Sequence, residues 1–481
     1  MQRNKDGGQK LFKLFGHFNL ILLLLSASLS AQSFKDFKTK QTKSFQTYKD
    51  ERDNAFNNYL KVQWEEYKAQ AGTKLYEEAK PKNILKIKEK EIKKVGPKIH
   101  IKLVKTPQVM PTKKPVVVKK DVNFNFYGSD LGFSVDDTMK NARYFPRNQA
   151  GIANFFSLMA RSDYENVLKE LQTTQEDLQL NDWGVYLLVK ELASKSFENE
   201  DEVKLFTWFL LNKMSYDVKV GLSGKSVVLM HYSKKLIYAT PSYTFSNKKF
   251  YVLSYYGKGK VGRLYTYKQS YPGATKEINL SLKQLPKFKK ELKEKVLSFQ
   301  QFGKKYETSF QYNQNIIDFM ATYPQADYET FFNAPMEEGV YLSIAKDIKK
   351  YIDGKHASEG INFVLNFVQK AFVYEIDDLQ FGREKVMFAE ETLYYKKSDC
   401  EDRAILFSYL VQKLFGISVI GVKYKDHMAT ALYIPMKGDS VKDGKRRYVI
   451  ADPTFVNANL GQSMPKYKSI RPESFIKVEK N

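Results

Sequence analysis

From Phe34 onward, aromatic side chains return every eleven positions among polar ones. Phe34, Phe45, Phe56 and Tyr67 form one row and Phe37, Tyr48 and Tyr59 a second, separated mostly by Lys, Gln, Asp, Asn and Thr. Eleven residues is close to three helical turns, so both rows fall on one face and predict an amphipathic helix over 32–75, of coiled-coil type. Such a stripe serves a partner or self-association, or it docks on the rest of its own chain. Over 76–120 the pattern dissolves into lysines interrupted by Pro81, Pro97, Pro107, Pro111 and Pro115, which predicts a semi-extended linker. Within it, Ile99–Val104 and Val116–Val118 are candidate edge strands.

Globular patterning begins near Val122. Helical periodicity runs over 150–215, through Phe155, Phe156 and Met159, then Val185, Leu187, Leu188 and Leu192. Over 217–285 the runs become strand-like, as in Val218-Lys219-Val220, Val227–Met230 and Phe250–Leu253, and a charged helical stretch is expected at 286–300. The last part reads as helices near 340–353 and 359–373, an irregular loop over 376–397 and a helix over 399–415. Strands near 418–424, 427–434 and 446–451 follow. Helices leading into an antiparallel sheet predict an α+β fold, with an α+β middle domain at 121–330 and a C-terminal domain at 335–481.

The first 31 residues stand apart. Arg3, Lys5, Lys10 and Lys13 precede an apolar run, Leu20–Leu25, and a small-residue segment, Ser26–Ala31. That is the layout of a secretory signal peptide cleaved near residue 31, which places the mature chain in the periplasm or outside the cell. The net charge of +24 over 481 residues favours polyanionic envelope components, contacted through the basic linker. No zinc-ligand spacing, recognition helix or RNP motif points to a specific nucleic acid, and nothing calls for a metal or another cofactor.

Export gives weight to the cysteine count. Oxidising compartments pair cysteines, yet this chain has one, Cys400. Ser398-Asp399-Cys400-Glu401 reads as a capping box, with Ser398 as N-cap and Glu401 at the third helical position. Apolar Ile405, Leu406, Leu410, Val411 and Leu414 continue the helix and Gly416 ends it. A cysteine in the first turn meets unpaired N–H groups and the positive end of the macrodipole. Asp399, Glu401 and Asp402 oppose a thiolate there, so a cation is needed and a histidine is the obvious source. Of five histidines, His17 lies in the signal peptide, His100 in the linker, His231 in the middle region and His356 in a connector. His427 remains, opening the alternating run Met428–Tyr433. Asp452 closes the apolar run Tyr448–Ala451 and is placed to orient the imidazole, although Asp452-Pro453 also suits a turn.

These segments resemble the transglutaminase-like superfamily. Ser398–Phe407 with Leu414–Ile417 is similar to its cysteine helix, Asp426–Leu432 to its histidine strand and Tyr448–Thr454 to its aspartate strand. The resemblance spans roughly 335–460. It implies a papain-like fold and acyl transfer from a protein or peptide carbonyl through Cys400, His427 and Asp452. The thioester would pass to water, as in a cysteine peptidase or amidase, or to an amine, as in a transglutaminase. It also implies an oxyanion donor upstream of the cysteine, for which Tyr395 is the first candidate and Tyr394 and Gln380 follow.

At an offset of 200, Phe209 aligns with Tyr409, Leu210 with Leu410, Lys213 with Lys413, Val220 with Ile420 and Gly221 with Gly421, while Glu200 takes the cysteine position. The middle domain is therefore either a degenerate copy of the C-terminal one or an unrelated α+β unit. The alternative to an enzyme is a non-catalytic envelope scaffold that retains the fold and binds through the aromatic helix and the basic linker.

Overall fold

The computed structural model describes residues 9–103, 120–253 and 262–479, with the backbone alone over 9–35. Residues 1–8 of the signal-peptide reading and the segment Val116–Val118 lie outside the described residues. The chain divides after Val62.

The first unit is the helix α1 (Gln9–Val62). Phe37, Phe45 and Tyr48 of the aromatic rows stand exposed on it. Among the described residues, no helix is long and apolar enough to cross a membrane. The helix stops thirteen residues short of the expected boundary at 75. In the second unit, Trp64 is held between Tyr265 and Tyr267, with ring centroids at 5.6 and 5.4 Å, and Tyr67 belongs to strand β1 (Glu65–Lys68). Aromatic burial against a sheet edge overrides the eleven-residue rhythm there.

A hairpin, β2 (Val122–Phe126) and β3 (Ser129–Phe133), leads into α2 (Asp137–Lys140), α3 (Gln149–Arg161), α4 (Tyr164–Asp177), α5 (Asp182–Ser196) and α6 (Glu200–Lys213). The sheet that follows holds β4 (Val218–Ser223), β5 (Ser226–Tyr232), β6 (Ser242–Phe245), β7 (Lys248–Val252) and β8 (Arg263–Thr266). Its order is β1-β8-β4-β5-β7-β6.

The stretch expected as a charged helix is a strand. β9 (Leu292–Gln301) pairs over its whole length with β10 (Lys304–Asn313). Leu297, Phe299 and Gln301 are buried in alternation with exposed neighbours. Period 2, masked by the lysines and glutamates of 290–295, decides the element. Phe299 seats the hairpin on Phe363 and Phe367, at 5.3 and 5.7 Å.

Then come α7 (Gln314–Ala321), α8 (Tyr328–Phe332), α9 (Glu338–Ile352), α10 (Ala357–Lys370), the short strand β11 (Val373–Tyr374), α11 (Asp377–Phe381), α12 (Ala389–Tyr394) and β12 (Lys397–Ser398). α13 (Cys400–Phe415) precedes β13 (Val419–Lys423), β14 (Met428–Leu432), β15 (Ser440–Asp443), β16 (Arg446–Ala451) and β17 (Ser474–Lys477). This second sheet is ordered β17-β13-β14-β16-β15. Counted in chain order, β4–β8 and β13–β17 both run fifth, first, second, fourth, third, and every pairing in both is antiparallel. Each set follows a helix, and the two helices start 200 positions apart, at Glu200 and Cys400. Gly221 and Gly421 occupy matching strands. A Cβ on the first would meet Leu264 of β8 at 2.7 Å, and on the second Ile476 of β17 at 3.1 Å.

The linker reading also changes. Residues 76–103 lie along the C-terminal half as an extended strap. Glu78 N–H donates to the Lys425 carbonyl, Ile87 N–H to that of Val456 and Ile99 N–H to that of Lys355. Leu75, Tyr76, Lys80 and Ile101 are buried, but no side chain between Lys80 and Ile101 is.

Candidate active site

α13 begins one residue later than expected, with Asp399 as N-cap. Ser398 is occupied elsewhere: β12 pairs in parallel with β11, and the Ser398 hydroxyl accepts from Arg403 Nε at 3.1 Å. Asp402, rather than Glu401, reaches back to the Asp399 N–H, at 3.2 Å, and also accepts from Met387 N–H at 2.8 Å. Arg403 is fully buried and donates to the carbonyls of Gln369 and Phe372, tying α13 to the end of α10. The run Asp399–Arg403 thus builds its own surroundings, and Glu401 is left to face the thiol.

Cys400 is the first residue of the helix, so its N–H has no intrahelical acceptor. Its side chain is 1% exposed. The thiol donates to Glu401 Oε2 at 3.1 Å, and the Tyr76 hydroxyl lies 3.8 Å from Sγ while donating to the same Glu401 oxygen at 3.0 Å. Burial pushes the thiol pKa well up, and the charges of Glu401 and Asp399 push it further. The resting sulfur is therefore a neutral thiol.

The cation that answers these carboxylates is Lys80. Its ammonium, 2% exposed, donates to Asp399, to Glu401 at 2.9 Å and to Glu384 at 2.8 Å, with Asp377 at 3.6 Å. The four carboxylates have oxygens within 4.8 Å of one another, a spacing that suits a metal ion, and the Lys80 ammonium occupies the space they share. Burial acts to lower the lysine pKa, but Asp399, Glu401 and Asp377 outweigh it and hold the group charged. One ammonium does not balance four carboxylates. Burial raises Asp399 and Asp377, whereas Lys80 keeps Glu401 low in spite of burial. Glu401 thus keeps its charge more readily than its neighbours do.

His427 precedes β14 and Asp452 follows β16. The register, Thr430 opposite Ala451, brings them to one end of the sheet. His427 Nε2 lies 2.9 Å from Asp452 Oδ2, with both side chains almost fully buried. The other carboxylate oxygen accepts the N–H groups of Thr454 and Phe455, at 2.9 and 3.2 Å, so Asp452 is at once turn former and imidazole partner. The His427 ring lies 4.8 Å from that of Tyr467 and nearly parallel to it. Burial raises the Tyr467 phenol, and its hydrogen bond to Asp426 raises it further. Among the described hydrogen bonds, none joins Cys400 to His427.

Tyr395, expected as oxyanion donor, caps α12 and packs on Phe381 and Tyr394, at 5.1 and 4.8 Å. Tyr394 packs on Tyr312. The hydroxyl brought to the sulfur is that of Tyr76, 324 positions upstream in the presumed linker. Neither Tyr76 nor Lys80 carries a local sequence signal, since each lies in an aperiodic stretch with few buried residues.

Gln369, also unforeseen, holds the aspartate loop from α10. Its amide N–H group donates to the carbonyls of Asp452, Phe455 and Ala458, at 2.8–3.1 Å, and its oxygen accepts from Asn457 N–H at 3.1 Å. Gln369→Leu strips these buried groups of their shared partner and is expected to cost about 1–3 kcal/mol. Urea denaturation measures this, and an unchanged midpoint would refute the clamp.

Compared with known proteins, the chain matches no family model, no curated protein and no solved structure.

Proposed function

We propose that this chain is an exported thiol acyltransferase of the transglutaminase-like superfamily, with a papain-like C-terminal half. The carrying observation is the buried His427–Asp452 pair beside the helix whose first residue is the sole cysteine. Asp452 accepts a hydrogen bond from Nε2–H, which fixes the tautomer and leaves Nδ1 as base. Cys400 Sγ attacks the carbonyl carbon of a protein or peptide substrate, and its proton passes to Nδ1 and then to the leaving amine. The carbonyl oxygen takes the free N–H at the head of α13 and, with Tyr76 repositioned, a hydroxyl in the role first given to Tyr395. The resulting thioester goes to water or to an amine.

The shared strand order supports reading the middle sheet as an inactive copy of the catalytic one. Glu200 stands there for the cysteine, and Lys225, in the turn before β5, falls where His427 precedes β14. The leader, the basic strap and the helix α1 fit an envelope location, with polyanions or a helical partner nearby. A non-catalytic scaffold is the second reading, favoured by the covered, neutral thiol.

The test is acylation by p-nitrophenyl acetate, small enough to enter through local opening. A hydroxylamine-labile acetyl thioester, mapped to Cys400 by mass spectrometry and missing from Cys400→Ala, is expected. Folded protein that never acquires it would leave the scaffold reading.

A further inference from the structure

A substrate carbonyl must come within about 3.5 Å of the nucleophile to react, and the space around Sγ is already filled from within the chain. The filling groups come from the strap. Tyr76 lies 3.8 Å from the sulfur and Lys80 grips the residues on either side of Cys400, Asp399 and Glu401. Beyond Lys80 the strap has no buried side chain until Ile101. Between these anchors its side chains are exposed or half-buried, include Lys82, Lys86, Lys88, Lys90, Lys93, Lys94 and Lys98, and the backbone is held by hydrogen bonds such as those of Ile87, Val95 and Ile99. A segment whose fully buried side chains lie only towards its two ends, and whose middle is held at the surface by hydrogen bonds, opens locally at less cost than the core it covers.

We propose that residues 75–101 form a displaceable strap that keeps Cys400 closed, with Lys80 as the latch in its carboxylate cage and Tyr76 as the stopper over the sulfur. This rests on the reading of Cys400 as nucleophile and adds that the folded chain is latent until the strap moves. A polypeptide substrate reaches the sulfur only after the ammonium leaves the cage, and an unpaired cage of buried carboxylates favours return of the strap once the product departs.

Two variants separate latching from changes in thiol acidity. Lys80→Met/Glu401→Gln removes one charge of each sign beside the sulfur, and Tyr76→Ala removes no charge. In both, iodoacetamide should modify Cys400 at least about tenfold faster than in the wild type, the equivalent of lowering the opening free energy by about 1.4 kcal/mol, with far-UV circular dichroism unchanged. Wild-type rates in folded variants would overturn the strap. Should a variant not fold, amide hydrogen exchange on the wild type decides: strap residues 75–90 should exchange well ahead of α13, and exchange only through global unfolding would refute it. The two readings fail separately. A Lys80→Met/Glu401→Gln protein that alkylates quickly but never forms the acetyl thioester sinks the nucleophile and leaves the strap. A wild type that acylates readily, with variants no faster, sinks the strap and leaves the nucleophile.

Discussion

His427→Ala is expected to slow thioester formation at Cys400 by about 10²–10⁴-fold, the range in which a positioned general base contributes. The thiol starts neutral, raised by burial and by Glu401 and Asp399, so attack requires a group to take its proton. Glu401 accepts the thiol hydrogen bond but is itself held ionised by Lys80. A proton passed to it would disrupt that pair. The imidazole adjoining Tyr467 is the base without such a conflict. Asp452→Asn sharpens the test. Asparagine still offers an oxygen to the N–H groups of Thr454 and Phe455, so the turn survives, but it no longer favours the Nε2–H tautomer. A comparable loss of rate with unchanged stability is expected. Wild-type acylation rates in both variants would remove His427 and Asp452 from the chemistry.

The second large effect is on stability. Lys80→Met should cost about 3–5 kcal/mol, because removing one partner from a buried ion cluster strands the others. Here Asp399 and Glu401 are fully buried and lose their ammonium. The pH dependence has a definite sign. Asp402 rises from the ordinary aspartate value to about 7, and Asp377 and Asp399 are raised as well, all chiefly by burial. A carboxyl raised in the folded state contributes stability below its unfolded pKa, near 4, and loses it as pH climbs through the folded value. The wild type should therefore weaken from about pH 4 towards 7, and Lys80→Met should steepen that decline and recover most of its deficit in acid. Thermal melts from pH 5 to 8 measure both. A variant as stable as wild type at pH 8 would show that the ammonium contributes little.

Cys400, His427 and Asp452 were legible because each closes or opens a periodic run: the helix face through Leu414, the alternation from Met428 and the apolar strand ending at Ala451. Local order carried that information. The hairpin of β9 and β10 was missed because Lys293, Glu294 and Lys295 suit a helix surface as well as an exposed strand, and only Leu297, Phe299 and Gln301 reveal the alternation. The end of α1 was hidden because Tyr67 continues the eleven-residue rhythm while serving a sheet. Tyr76, Lys80 and Gln369 could not be read at all. Their roles depend on hydrogen-bond partners 304–325 residues away for the first two and 83–89 for the third, and no periodicity encodes such meetings.

That separation bears on how the molecule comes into being. Lys80 and Asp399 meet across 319 positions, so their pairing closes a long loop and costs more chain entropy than any local contact does. A ribosome or translocation pore delivers Tyr76 and Lys80 long before the helix headed by Cys400. Cys400 therefore emerges late, onto a chain whose early segment already carries the groups that will cover it. Until the two ends meet, the carboxylates flanking the cysteine have no cation. Ripening of the thiol's surroundings is coupled to completion of the second unit, so a fragment ending anywhere before Cys400 carries the cover without the thiol.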